Sequence, residues 1–104
     1  MERNSPARTR EEILGILQAH KAELRERYGV REIGLFGSYA REEQSPLSDV
    51  DILVQVGRPI GFRFFELWDY LEEILGLKVD LLTPEALQQK PVLWESVRED
   101  VVYV

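Results

Sequence analysis

The sequence predicts an α/β domain, a small mixed β-sheet flanked by helices. Three observations predict it. Apolar residues recur at helical spacing across residues 9–28 and 62–75. Short apolar runs at 31–36, 49–56 and 78–82 read as strands between turn residues. Finally, about a dozen residues join the first strand to the second, whereas a full helix joins the second to the third. The expected sheet is therefore mixed, with helices packed on one face, in one layer or split.

Each element has a local reason. Thr9 and Glu12 form a T-x-x-E capping box that starts the first helix, and Ile13, Ile16, Leu17, Leu24 and Tyr28 make its apolar stripe. Gly29 ends it. His20, close to the stripe, reads as a surface or packing residue. REIGLF is the first strand, Gly37-Ser38 a turn, and SYAREE the start of one or two helical turns. Pro46 and two serines punctuate the loop before DVDILVQV, the second strand. In that strand Val50, Ile52 and Val54 share one face, and Asp49, Asp51, Leu53 and Gln55 the other. Phe64, Leu67, Trp68, Leu71, Ile74 and Leu75 mark a core-facing helix closed by Gly76. KVDLL is the third strand, with Asp80 at its middle. Thr83-Pro84 caps a short helix, another starts near Pro91, and VVYV fits a last strand. Residues 1–104 read as a single domain, with 1–8 a loose polar lead-in.

Composition narrows the chemistry. The chain has 104 residues, 44% of them hydrophobic, enough for one core. No apolar run is long enough to span a membrane, and the N-terminus has no secretory h-region. Cysteine is absent and histidine occurs once, so a metal would be held mainly by oxygen, which favours magnesium, manganese or calcium over zinc. The lack of cysteine fits a cytoplasmic location. A net charge of −6 makes the chain a poor candidate for holding nucleic acid by itself.

Two acids interrupt the second strand. Asp at a strand start can simply end a loop, but Asp51 is followed directly by Ile52, Leu53 and Val54. At about 6.6 Å separation along a strand, Asp49 and Asp51 project from one face and can converge on ions between them. Without cations they would repel each other and face a desolvation penalty. If the third strand pairs beside the second, Asp80 joins them as a third carboxylate. Gly37 lets backbone approach an anion, Ser38 adds a hydroxyl and an N–H, and Arg41 lies one helical turn further on.

Gly37-Ser38, ten residues, then Asp49-x-Asp51 resembles the G-S-x10-D-x-D signature of the DNA polymerase β-like nucleotidyltransferases. FGSYAREEQSPLSDVDILV with KVDLLTPEAL downstream is similar to the minimal nucleotidyltransferases, small prokaryotic proteins encoded beside HEPN-domain partners. The resemblance runs from about Val30 to the C-terminus. It implies the polymerase β-like fold, ATP as substrate and two Mg2+ ions. Gly37 and Ser38 would hold the triphosphate, Asp49 and Asp51 would ligate the metals, and Asp80 would complete the site and activate the attacking hydroxyl. It also implies a type VII-like antitoxin that transfers AMP to a tyrosine of a HEPN ribonuclease toxin. Two other functions stay open on the residues: an antitoxin that only occludes its partner, through whichever of Phe62, Phe64, Phe65, Trp68 and Tyr70 are exposed, and transfer to a small molecule or an RNA end. One position departs from the resemblance: many relatives have glycine where this chain has Glu42.

Overall fold

The computed structural model describes residues 8–104. The lead-in expected over 1–8 lies outside the described residues except for Arg8, whose Nε donates to the Leu75 carbonyl. The first helix, α1 (Arg10–Ala19), starts with the expected capping box. Glu12 N–H donates to Thr9 Oγ1 at 3.1 Å, and Thr9 N–H to Glu12 Oε1 at 2.8 Å. The single helix expected over 9–28 is broken at His20, which leaves helical geometry at φ −104°, ψ 6°. Its ring nitrogen Nδ1 stands 2.8 Å from the Ile16 carbonyl oxygen and its edge meets Tyr70, so it is a packing residue. The second helix, α2 (Lys21–Tyr28), then ends on left-handed Gly29.

The chain continues as β1 (Val30–Phe36), α3 (Gly37–Ala40), β2 (Val50–Val56), α4 (Arg63–Leu75) and β3 (Val79–Leu82). It finishes with α5 (Pro84–Gln88), α6 (Pro91–Asp100) and β4 (Val102–Tyr103). The sheet order is β3-β2-β1-β4. Antiparallel pairs join β1 to β2 and to β4, while β2 and β3 run parallel, so the sheet is mixed as expected. The crossover that parallel pairing demands is α4.

The helices divide between the two faces instead of sharing one. Ile33, Leu35, Val50, Ile52, Val54, Val79 and Leu81 pack against α1, α2 and α4 in the main core. Phe36 and Leu53, pointing the other way, pack with Leu87 of α5 and Val97 of α6 in a smaller core. Each fully buried Leu or Ile contributes about 1.5–3 kcal/mol, so the main core sets the stability of the sheet. The outer edge of β3 is closed by α4: Trp68 Nε1 donates to the Val79 carbonyl at 2.7 Å, and Val79 N–H donates to Glu72 Oε2 at 3.0 Å. Among the described residues no helix is long and apolar enough to cross a membrane.

Glu42, the departure from the family pattern, has φ +60°. This left-handed geometry costs a side-chain-bearing residue about 1–2 kcal/mol and costs glycine almost nothing. Glycine would therefore be the less strained residue at this turn, and glutamate is a tolerated one. The Glu42 carboxylate is more than half exposed, 3.7 Å from Arg10 Nη2. Glu42→Gly should raise stability by about 0.5–1 kcal/mol, because relief of the strain exceeds the added unfolded-state entropy and an exposed ion pair contributes little. Thermal denaturation should show this as a melting temperature a few degrees higher.

Candidate active site

The site forms where β1 ends and β2 and β3 begin, on the face opposite the main core. In the parallel register Asp51 of β2 lies beside Asp80 of β3, and across the antiparallel pair it faces Phe36 of β1. Their strand neighbours Val50, Ile52, Val79 and Leu81 are buried on the far side. Alternation therefore places the two carboxylates on one face, on strands about 4.8 Å apart. Asp49 stands one residue before β2, in the loop and exposed, rather than within the strand as expected. Hydrogen bonding of Val50 N–H to the Lys78 carbonyl at 2.8 Å fixes where the strand begins.

Gly37 follows β1 directly and has φ +76°, so the expected Gly-Ser turn is the first turn of α3. A Cβ at this position would fall 2.0 Å from Asp51 Oδ2. The carboxylate therefore occupies the space that any other residue would fill. A cleft of about 420 Å³ opens here, lined by Gly37, Ser38, Arg41, Asp51 and Asp80, with Leu93, Ser96, Val97 and Asp100 of α6 along its opposite wall. Asp49 is the one predicted site residue that does not line it.

The electrostatics follow from this crowding. Burial, then repulsion by Asp80 and Asp49, pushes the Asp51 carboxyl up to about 6, while Arg41 opposes the shift. Tyr39 is also raised, by burial and then by the charge of Asp49. Arg41 reaches across the cleft: Nη1 donates to Asp100 Oδ2 at 2.7 Å, and Nε donates to Glu43 Oε1 at 3.0 Å.

The donor set suits a hard divalent cation. It is all oxygen, it is mutually repulsive, and it has no cation in contact with Asp51 or Asp80 among the described residues. No three carboxylate or imidazole groups among those residues already enclose one point. Magnesium typically needs only one or two protein carboxylates, and takes its other oxygens from water and phosphate.

The α6 wall was not anticipated. Asp100 is the last residue of α6, where the helix dipole disfavours an acid. That local misfit was the available signal that it had a partner elsewhere.

Residues 17–104 match the family model described as the nucleotidyltransferase domain. The chain belongs to the nucleotidyltransferase family. The protein adenylyltransferase MntA of Thermococcus cleftensis is 55% identical over 97 residues, covering 92% of this chain and 96% of that protein. A solved structure described as a minimal nucleotidyltransferase superposes with a TM-score of 0.73 at 30% identity, covering 94% of this chain and 98% of the other. A toxin–antitoxin crystal structure with AMP-PNP gives a TM-score of 0.62 at 25% identity, over 90% of this chain and 70% of that one. The fold is that of the polymerase β-like minimal nucleotidyltransferases, and the chain is a nucleotidyltransferase enzyme.

Two consequences are measurable. Gly37→Ala should displace Asp51, lowering stability by about 1–3 kcal/mol through overpacking and positive-φ strain, and greatly reducing activity. Thermal melts and nucleotidyl transfer assays check the two effects. The Asp51 carboxyl is raised in the folded chain, so the folded state holds more protons between about pH 4 and pH 6. Stability without divalent cations should therefore fall as pH rises through that window, then level off. The loss should be on the order of 1 kcal/mol, because a half-exposed carboxyl is screened. Denaturant titrations in a chelator should show the fall in the native chain and a flatter profile in Asp51→Asn.

Proposed function

We propose that this nucleotidyltransferase is a protein adenylyltransferase that transfers AMP from ATP to a tyrosine of a cognate HEPN ribonuclease toxin, and so acts as its antitoxin. The observation that carries the reading is the Asp51–Asp80 register pair set against the bare backbone of Gly37. It matches the chemistry of a triphosphate brought in with divalent cations. The name of the Thermococcus relative and the AMP-PNP bound to the toxin–antitoxin neighbour point to the same donor and acceptor class.

In this reading Gly37 and Ser38 bind the triphosphate through backbone N–H groups and the Ser38 hydroxyl, with Arg41 adding positive charge. Asp49, Asp51 and Asp80 are the residues that would hold two Mg2+ ions, and such ions would supply positive charge to offset the phosphates and the ionising acceptor hydroxyl. Asp80 accepts the proton of the attacking tyrosine, whose ordinary pKa near 10 leaves it a weak nucleophile at neutral pH. The tyrosine oxygen bonds to the α-phosphorus, the bond to the β-phosphate bridging oxygen breaks, and pyrophosphate leaves. Phosphoryl chemistry of this kind depends mainly on positioning and charge stabilisation. A net charge of −6 argues against an RNA end as the acceptor.

Occlusion is the second reading. Phe62 and Phe65 at the start of α4 are 88% and 61% exposed, an apolar surface that a partner can cover. Incubation with labelled ATP, Mg2+ and the neighbouring HEPN protein should label that protein on tyrosine. The Asp49→Ala, Asp51→Ala double variant should lose labelling and neutralisation together. Full neutralisation by a correctly folded double variant would favour occlusion instead.

A further inference from the structure

Among the described residues, Arg41 is the one cation lining the cleft, against three acids: Asp51, Asp80 and Asp100. Its side chain follows α3 and is 42% exposed. An untethered arginine in that setting loses much of its value to rotamer freedom, because ordering it costs entropy at the moment of binding.

Two carboxylates order it beforehand. Glu43 takes Nε at 3.0 Å, but it belongs to the same exposed turn and is itself 66% exposed. Asp100 takes Nη1 at 2.7 Å, is only 22% exposed, and comes from 59 residues away on α6. That helix is anchored independently: Val97 is buried with Phe36, Leu53 and Leu87, and Val101 N–H closes the last turn on the Val97 carbonyl at 2.9 Å. Asp100 is thus the firmer of the two tethers. Its place at a helix C-terminus is intrinsically unfavourable for an acid, and the ion pair with Arg41 offsets that. Held at Nε and Nη1, the guanidinium keeps both N–H groups of Nη2 without a partner among the described residues.

We infer that Asp100 is a positioning residue. It holds Arg41 from the α6 side so that the unpaired Nη2 group of the guanidinium is presented to the phosphates of the nucleotide in the cleft. This rests on the reading of the cleft as the ATP site, and adds to it a role for the C-terminal helix. The opposite behaviour, a latch that competes with phosphate for Arg41, makes the contrary prediction: removing Asp100 would tighten binding.

Calorimetric titration of the full chain with Mg–ATP decides between them. Asp100→Asn, which preserves size, should weaken binding roughly three- to tenfold. Asp100→Glu, which keeps the charge, should restore most of the affinity. In an Arg41→Ala background Asp100→Asn should change nothing further, since its effect passes through the arginine. In the transfer assay the KM for ATP should rise while kcat and the KM for the protein acceptor stay close to those of the native chain. Equal or tighter binding by Asp100→Asn overturns the positioning role alone, as does a loss that persists in the Arg41→Ala background. A native chain that binds no Mg–ATP overturns the nucleotide reading, and this inference with it.

Discussion

The parallel pairing of β2 with β3 is the constraint on which the site depends. It places Asp51 abreast of Asp80 at the cost of bringing two like charges together in a half-buried setting. Nothing local favours that arrangement. It is held from behind, where Val50, Ile52, Val79 and Leu81 are buried against α1, α2 and α4. Slipping β3 by one residue would relieve the repulsion, but it would also turn Val79 and Leu81 out of the core. Apolar packing on one face therefore enforces an electrostatic arrangement on the other.

The turn after β1 completes the arrangement by what it lacks. Gly37 combines a positive φ with close approach of the Asp51 carboxylate, two demands that glycine alone meets at no cost. Five residues later Glu42 adopts a similar backbone geometry with no such approach, and there the chain tolerates a side chain. The same conformation is thus indispensable at one position and only costly at the other. The difference lies in what stands beside the missing Cβ.

The second layer of helices gives the site its other wall. With α5 and α6 seated on Phe36 and Leu53, the acidic face becomes one side of a cleft instead of an open sheet surface. Its charge is mostly negative, so a phosphate-bearing ligand would need cations to offset it. Among the described residues the cleft wall supplies one, Arg41, whose geometry is tied to the far end of the chain.

Much of this was legible locally. The Thr9–Glu12 capping box, the glycine stops at Gly29 and Gly76 and the Thr83-Pro84 start are short-range chemistry that a sequence displays directly. So was the Gly-Ser and Asp-x-Asp spacing, because strand alternation and turn requirements act over few residues. The break at His20 was not, since the apolar spacing from Leu17 to Leu24 runs through it without glycine or proline. Nor was the positive φ of Glu42, which its own side chain disfavours. The sequence by itself determined the elements, their inward faces and the acids available for chemistry. Only the tertiary structure decided that Asp80 stands beside Asp51, that Asp49 lies just outside the strand, and that Asp100 reaches Arg41. Those contacts join residues far apart in the chain, and their geometry is set by strand register and by which face of the sheet each helix covers.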